Sequence, residues 1–184
     1  MITEKEYREA QERAIKYFQK VGIVITAEEK RRIEVVDAGL GDLKRYGLEI
    51  LVYVNTARCC AKELVLFPYQ ICCEHRHPPI DKSNPGKEET FRCRWGTIYL
   101  YVPGKPTPHP RARLPKERRK YFTVHYEIIL KPGQQYILGP NTKHWFQAGP
   151  KGAVVSEFST HAIEERDLFT DPQIERITKI VKSK

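Results

Sequence analysis

Residues 74–102 read EHRHPPIDKSNPGKEETFRCRWGTIYLYV, and this stretch decides the fold class. It opens with His75 and His77, which are two residues apart. On an extended strand successive side chains point to opposite faces, so both imidazoles point the same way and Arg76 points the other way. Two nitrogen ligands on one face can share a metal ion. Such a pair also occurs by chance in exposed segments, so it needs further ligands to indicate a metal site.

Alternation farther along the same stretch indicates which charged residues face inward. The apolar side chains share one parity, and they are Phe91, Cys93 and Trp95. Arg92 and Arg94 have the opposite parity and should face solvent. Lys87 and Glu89 therefore join the interior face, whereas Glu88 joins the outer one. A buried carboxylate and a buried ammonium each require a partner.

Two interpretations of this inward pair remain open. A divalent cation would give Glu89 its partner, and a bound polyol or its oxyanion would give one to Lys87. Alternatively, Lys87 and Glu89 form an ion pair with each other at the rim of a barrel.

A third imidazole follows in KPGQQYILGPNTKHWFQAG, residues 131–149, which predicts a strand, a turn and a returning strand that opens with His144. His144 shares the parity of Phe146, so it faces inward, either as a ligand or as a core histidine with its own hydrogen bonds. Three imidazoles and one carboxylate form a donor set suited to manganese, iron, cobalt or zinc. The predicted metal ligands are His75, His77, Glu89 and His144.

The N-terminal part of the chain predicts two helices. Residues 4–21 carry apolar side chains at helical spacing. A second helix begins at a capping box formed by Thr26 and Glu29. Its apolar stripe includes Ile33, Val35 and Val36.

The rest of the chain predicts a mainly β protein. Short β-prone runs follow one another at barrel spacing after residue 46, and the lack of a crossover helix argues against a Rossmann or TIM architecture. Near the C-terminus the residue pattern is again typical of a helix. We expect a single domain over residues 1–184, with a helical cover at 1–42, a β-barrel at 46–160 and a C-terminal tail at 161–184.

Composition is typical of a globular protein from a reducing compartment. The 184 residues are 40% hydrophobic and 30% charged, and no window approaches the roughly 18 apolar residues of a membrane span. The first residues alternate charged and apolar side chains, unlike a secretory signal. Five cysteines without a C-x-x-C pair suit reduced thiols. We therefore expect a cytoplasmic protein that has no membrane partner.

The net charge of +9 raises the question of a nucleic-acid partner. Much of the excess lies in RARLPKERRK, residues 111–120, for which a solvated loop is the favoured interpretation. No zinc-finger spacing, RNA-binding aromatic signature or phosphate-cradling glycine loop accompanies it. We expect no nucleic-acid partner.

Together the motifs resemble those of the cupin superfamily. An H-x-H pair, a later glutamate, six residues and a glycine, then a proline turn and a histidine are similar to its two metal motifs. The segment between His77 and Glu89 is longer than usual. Two criteria select Glu89 over Glu88 as the ligand: strand parity and the six-residue spacing to Gly96. Thr142 stands where glycine is usual. The resemblance implies a jelly-roll β-barrel with N-terminal helices and a short C-terminal helical tail.

Longer strings resemble the D-lyxose isomerases, a family of cupin ketol-isomerases. They include VNTARCCAKELVLFP at 54–68, PNTKHWFQAG at 140–149 and AVVSEFS at 153–159. This resemblance implies an enzyme that interconverts D-lyxose with D-xylulose and D-mannose with D-fructose. It also implies a manganese-preferring site and a homodimer.

Such a reaction moves a proton between C1 and C2 together with the carbonyl, so the site must polarise the carbonyl and supply a base. The expected route is a metal-bound cis-enediol, with Mn²⁺ as the ion and Co²⁺, Fe²⁺, Zn²⁺ or Ni²⁺ as alternatives. Glu157, which has the parity of Ala153 and Val155, is the predicted base; otherwise it is a rim or surface glutamate. Lys87 would donate to a sugar oxygen, or act as a proton shuttle if the cation depressed its pKa.

Two other functions would use the same ligands. A metal-dependent cupin dioxygenase would activate oxygen, and a non-catalytic sugar-binding cupin would bind a sugar without turnover. Asp171 and Arg176 are candidates for substrate or lid residues, although surface capping is the favoured interpretation.

Overall fold

The computed structural model describes residues 1–182 and has the mainly β architecture that the sequence predicts. In chain order its elements are β1 (Ile2–Thr3), α1 (Glu4–Lys20), α2 (Ala27–Arg32), β2 (Glu34–Val36), β3 (Leu48–Asn55), β4 (Cys60–Leu66), β5 (Ile71–Arg76), β6 (Glu89–Val102), β7 (Tyr126–Leu130), β8 (Gln135–Leu138), β9 (His144–Ser159), β10 (Leu168–Phe169) and β11 (Ile180–Val181). Short 3₁₀ helices span Lys116–Tyr121 and Glu164–Arg166. No helix in this range has the length and apolarity needed to cross a membrane.

The barrel is an antiparallel sheet that curls on itself. Neighbouring strands follow the order β10, β5, β9, β4, β3 and β2, while β6 pairs with β7, β8 and β9. The first half of β9 pairs with β5 and its second half pairs with β4, so this long strand is shared by both halves of the sheet. The inner faces enclose an apolar core that includes Leu64, Phe91, Leu100, Leu138 and Phe146.

The helix α1 covers the outer face of the sheet. Thr3 and Glu6 form a capping box at its start, and it ends at Lys20, close to the predicted end. Its buried side chains pack on a second apolar cluster, contributed by β2, β3, β4 and β9. The helical cover therefore shields one side of the barrel and leaves the barrel interior free for other residues.

Trp95 lies in this outer cluster, although its parity predicted the interior. The pairing of β6 with β9 shifts register between Cys93 and Trp95. Such a bulge moves the following side chains to the opposite face. Tyr17 of α1 packs edge-on against Trp95, with ring centroids 5.5 Å apart. The prediction for Trp95 is wrong, whereas Phe91 and Cys93 lie in the barrel core as predicted.

The second helix is shorter than predicted. Thr26 and Glu29 form the predicted capping box, but α2 ends at Arg32. Val35 and Val36 lie on β2, where Val35 is buried in the outer cluster and Val36 in the barrel core. Burial on two opposite faces requires an extended backbone, and β-branched residues favour strands.

The C-terminal tail is largely extended rather than helical. Up to residue 182 its helical part is the single 3₁₀ turn Glu164–Arg166. β10 pairs with β5, and β11 pairs in parallel with β1, so backbone hydrogen bonds of the tail go to other strands. Pro172 lacks the amide proton that a helix interior requires. The tail consequently passes beside the end of β5, next to the predicted metal ligands.

Candidate metal centre and active site

Three imidazoles meet at one end of the barrel. His75 lies near the end of β5, His77 follows that strand directly, and His144 opens β9, where it is paired with His75. All three side chains are buried. One ring nitrogen of each residue lies within 4.8 Å of the corresponding nitrogens of the other two. The structure thus brings together the three histidines that the sequence singled out.

Backbone carbonyl groups orient two of these rings. Nδ1 of His75 lies 2.8 Å from the carbonyl oxygen of Cys73, and Nδ1 of His144 lies 3.0 Å from that of Thr142. Because a carbonyl oxygen can only accept, each Nδ1 carries the proton and each Nε2 presents a lone pair. Burial and the neighbouring His144 hold the pKa of His75 well below its ordinary value, which favours the neutral ring that a metal requires.

A carboxylate from the tail orients the third ring. Nδ1 of His77 donates to Oδ1 of Asp167 at 2.5 Å. Burial would lower the pKa of His77, but the charge of Glu89 and the hydrogen bond to Asp167 outweigh it and raise the pKa to about 9. Asp167 thereby fixes the ring in the orientation that turns Nε2 towards the cluster.

Glu89 completes the donor set. Its side chain is buried at the start of β6 and that of Glu88 is exposed, in agreement with the parity prediction. Oε1 of Glu89 lies 3.2 Å from Nε2 of His77 and 3.1 Å from Nε2 of His144, yet neither nitrogen makes a hydrogen bond within the described residues. Buried polar atoms normally have a partner, and a divalent transition-metal ion would provide one. The residues present therefore fit a metal ion.

A buried lysine connects Glu89 to a second carboxylate. Nζ of Lys87 lies 2.6 Å from Oε2 of Glu89 and 2.5 Å from Oε1 of Glu157. Burial alone would lower the pKa of Lys87, but the charges of Glu157 and Glu89 outweigh it and raise that pKa above its usual value. These ion pairs favour the ammonium form of Lys87, and its role in proton transfer stays a prediction.

Glu157 is an ionised carboxylate in this environment. On β9 it faces inward with Ala153 and Val155, as parity predicts. Burial would raise its pKa, but the charges of Lys87 and Lys62 lower the pKa below its ordinary value. A buried carboxylate that stays ionised beside candidate metal ligands can accept a proton from a bound substrate.

Apart from His144, these groups line a single cavity, whose empty volume is about 660 Å³ when the open solvent at its mouth is included. Lys62 and Glu164 also line it, and neither was predicted from the sequence. Lys62 has the same parity as the core residue Leu64 on β4, and it stands opposite Glu157 in the strand register. The parity rule used for β6 would have found Lys62. Glu164 lies in the 3₁₀ turn, where no sequence periodicity could have indicated it.

The two candidates in the tail have different positions. Arg176 lines the cavity and pairs with Glu34 and Glu164. It is therefore not the surface capping residue that the sequence favoured. Asp171 is buried and pairs with Arg118, which fits a structural role.

Curated relatives match nearly the whole chain. The D-lyxose ketol-isomerase of Thermofilum sp. is 63% identical, over 98% of this chain and 100% of that protein. The D-lyxose/D-mannose isomerase of Thermosediminibacter oceani is 57% identical, over 98% and 99%. The chain belongs to the D-lyxose ketol-isomerase family. A third member, the D-lyxose ketol-isomerase of Cohnella laeviribosi, is 53% identical over 95% of this chain and 96% of its own length.

Membership of the D-lyxose ketol-isomerase family makes the protein an aldose–ketose isomerase. Solved structures show the same fold at much lower identity. L-ribose isomerase from Cellulomonas parahominis and that from Acinetobacter sp. DL28, the latter in complex with L-ribose, each have a TM-score of 0.81 and 17% identity, over 98% of both chains. This likeness confirms the cupin-like barrel. The chain matches no protein-family profile.

Proposed function

We propose that the protein interconverts D-lyxose with D-xylulose and D-mannose with D-fructose, through a cis-enediol, with the help of one divalent metal ion. The names of the curated relatives support D-lyxose and D-mannose as the aldoses. One observation carries the proposal. The three clustered imidazoles and Glu89 adjoin the buried pair of Lys87 and Glu157, and all of these residues except His144 line one cavity. Moving a proton between C1 and C2 requires metal donors and a proton acceptor side by side.

The ligands of the proposed ion are His75, His77, Glu89 and His144. When bound there, the ion would supply Lewis-acid polarisation of the sugar carbonyl. Three nitrogen donors suit Mn²⁺, the proposed ion, or Co²⁺, Fe²⁺, Zn²⁺ and Ni²⁺, better than they suit Ca²⁺ or Mg²⁺.

Glu157 is the proposed proton acceptor. Its carboxylate takes the proton from C2 of the open-chain aldose, and the electrons of that C–H bond form the C1–C2 double bond of the enediol. The same carboxyl group then gives a proton to C1. The hydroxyl proton of O2 passes to O1 as the C2 carbonyl forms, so the ketose contains the same atoms as the aldose.

Lys87 is the proposed hydrogen-bond donor to the reacting oxygens. An ammonium group has three donor hydrogens, and the contacts with Glu89 and Glu157 account for two. The third can donate to a sugar oxygen as negative charge develops on it. Lys87 also holds Glu157 in place beside the metal ligands.

The tail limits the access of water to the cavity. The ring of Phe169 on β10 lies against His75, with centroids 5.5 Å apart, and both residues line the cavity. Excluding water strengthens electrostatic interactions in the site and protects the enediol from side reactions.

Metal removal tests the proposal. Protein treated with a strong chelator and shown by elemental analysis to be metal-free should form no ketose from D-lyxose or D-mannose. Activity should return on addition of Mn²⁺, and a melting curve before and after treatment controls for unfolding. Full activity of the metal-free protein would contradict the metal requirement. If the protein formed no ketose from either sugar after Mn²⁺, Co²⁺, Fe²⁺, Zn²⁺ and Ni²⁺ had each been added, the choice of sugars would be contradicted.

Three further proposals concern the whole protein. The family resemblance supports a homodimer, the chain length supports one domain over residues 1–184, and the N-terminal residues and reduced cysteines support a cytoplasmic location. Light scattering on the purified protein measures its mass against twice 21.5 kDa. A monomer mass would contradict the proposed dimer.

A further inference from the structure

Charged side chains of alternating sign form a continuous row along the cavity. Glu89, Lys87, Glu157, Lys62, Glu164 and Arg176 follow one another in the cavity lining, and Glu34 continues the row outside it. Nζ of Lys62 lies 3.6 Å from Oε1 of Glu157 and contacts Glu164. Arg176 contacts Glu164 and forms two hydrogen bonds with Glu34, at 2.5 and 3.1 Å. The row leads from the candidate metal centre to the tail.

Proton transfer at C1 and C2 does not account for the far end of this row. The side chains of Lys62, Arg176 and Glu164 are 3%, 17% and 24% exposed, so these charges are largely removed from bulk water. Burying charges is unfavourable, and their mutual attraction often does no more than offset it. A cluster of this kind inside a ligand cavity is therefore better explained by a ligand than by stability.

The rest of the cavity wall is mostly apolar. It includes Leu48, Ile50, Leu64, Phe146, Phe169 and Ile174. Hydroxyl groups of a bound sugar consequently find their polar partners along the charged row. Lysine has three donor hydrogens and a carboxylate can accept about four hydrogen bonds, so the ion pairs leave capacity for hydroxyl groups.

We propose that Lys62, Glu164 and Arg176 bind the hydroxyl groups of the open-chain sugar at C4 and beyond. Together they set the preference of the enzyme for pentoses and hexoses over shorter aldoses. The inference rests on the proposed function, because it takes C1 and C2 to lie at the metal centre. With those carbons beside Glu157, the carbon chain extends along the row towards Lys62.

Glu164→Gln is the most informative variant. Glu164 contacts both cations of the cluster, whereas Lys62 also contacts Glu157, the proposed proton acceptor. On D-lyxose we expect kcat/KM to fall about tenfold or more, mainly through KM, because a charged hydrogen-bond acceptor is lost. On D-glyceraldehyde, which has no C4, the change should be below about twofold.

Glu165→Gln is the matched control, because this neighbouring glutamate is exposed. It should leave both substrates unaffected. A purely structural disturbance in Glu164→Gln would lower kcat/KM equally on D-lyxose and D-glyceraldehyde. That result, or an unchanged KM for D-lyxose, would overturn the inference. Arg176→Met provides the same comparison if Glu164→Gln does not fold.

Binding of D-arabinitol, the alditol of D-lyxose, gives a readout that is independent of turnover. Calorimetry should show a Kd about tenfold weaker in Glu164→Gln than in the wild type. Equal Kd values, or a wild type that does not bind the alditol, would overturn the inference. If the wild type binds D-arabinitol but turns over no aldose, the proposed function fails, while the comparison of Kd values still decides the role of the cluster.

Discussion

Asp167 accepts a hydrogen bond of 2.5 Å from Nδ1 of His77, a residue 90 positions earlier in the chain. The contact connects the tail to the candidate metal centre. It also determines which nitrogen of His77 faces the other ligands, because the nitrogen that donates to Asp167 cannot bind the metal.

Asp167→Asn should therefore weaken metal binding without removing a ligand. Changing a residue that orients a metal ligand typically lowers metal affinity about 10- to 100-fold. Competition with a fluorescent chelator measures the affinity, and Glu165→Gln serves as the control from the same segment. An affinity equal to that of the wild type would show that the negative charge of Asp167 is not needed to orient His77.

Glu89→Gln should lose both the metal and the activity, whereas Glu88→Gln should keep both. Glu89 lies 3.1 to 3.2 Å from two ligand nitrogens, and Glu88 is exposed one residue away. The loss of activity should exceed the roughly 100-fold effect of changing a residue that only orients a ligand. Elemental analysis and ketose formation are the measurements. If Glu88→Gln were the variant that lost the ion, the assignment from strand parity would be mistaken.

Glu157→Gln should retain the metal and lower kcat by about 10²- to 10⁴-fold, the range for loss of a general base. The wild type should also incorporate deuterium from solvent at C1 or C2 of the product, which NMR detects. Transfer of hydrogen without any exchange would indicate a hydride shift and remove the base role from Glu157.

Glu49→Gln should stabilise the protein at neutral pH. Glu49 on β3 is fully buried, and neither oxygen makes a hydrogen bond within residues 1–182. Burial raises its pKa well above the ordinary value of 4.5. The folded state thus binds more protons than the unfolded state above about pH 4.5, and stability falls as pH rises through the window up to the raised pKa.

Without this charge, the free energy of unfolding at pH 7 should rise by about 1–3 kcal/mol, as expected for an unsatisfied buried group. Urea denaturation at pH 5 and pH 7 measures the effect. Glu12→Gln, on the exposed face of α1, is the control. A variant less stable than the wild type at pH 7 would show that Glu49 is stabilised by a partner.

Strand alternation is why much of the site could be predicted from sequence. A period of two assigns each residue of a strand to a face, and this placed Lys87 and Glu89 inside and Glu88 outside. The same rule failed at Trp95, because a β-bulge between Cys93 and Trp95 adds a residue that the local sequence pattern does not indicate.

The tail could not be predicted in the same way. Its position depends on pairing of β10 with β5 and of β11 with β1, contacts between residues far apart in sequence. Asp167 and Glu164 reach the cavity through this pairing and through the hydrogen bonds between Asn55 and Ala162. Arg176 was noticed in the sequence but assigned to the surface, since nothing near it in the chain shows that Glu34 and Glu164 are its partners.

The pairing of β10 with β5 also bears on the order of events during biosynthesis. His75 and His77 leave the ribosome well before His144, and the residue that orients His77 is made later still. A nascent chain would thus hold the proposed ion only loosely at the H-x-H pair. Firm binding of the proposed ion would await translation of almost the entire polypeptide, so the ions around the newly finished protein would decide which cation is bound.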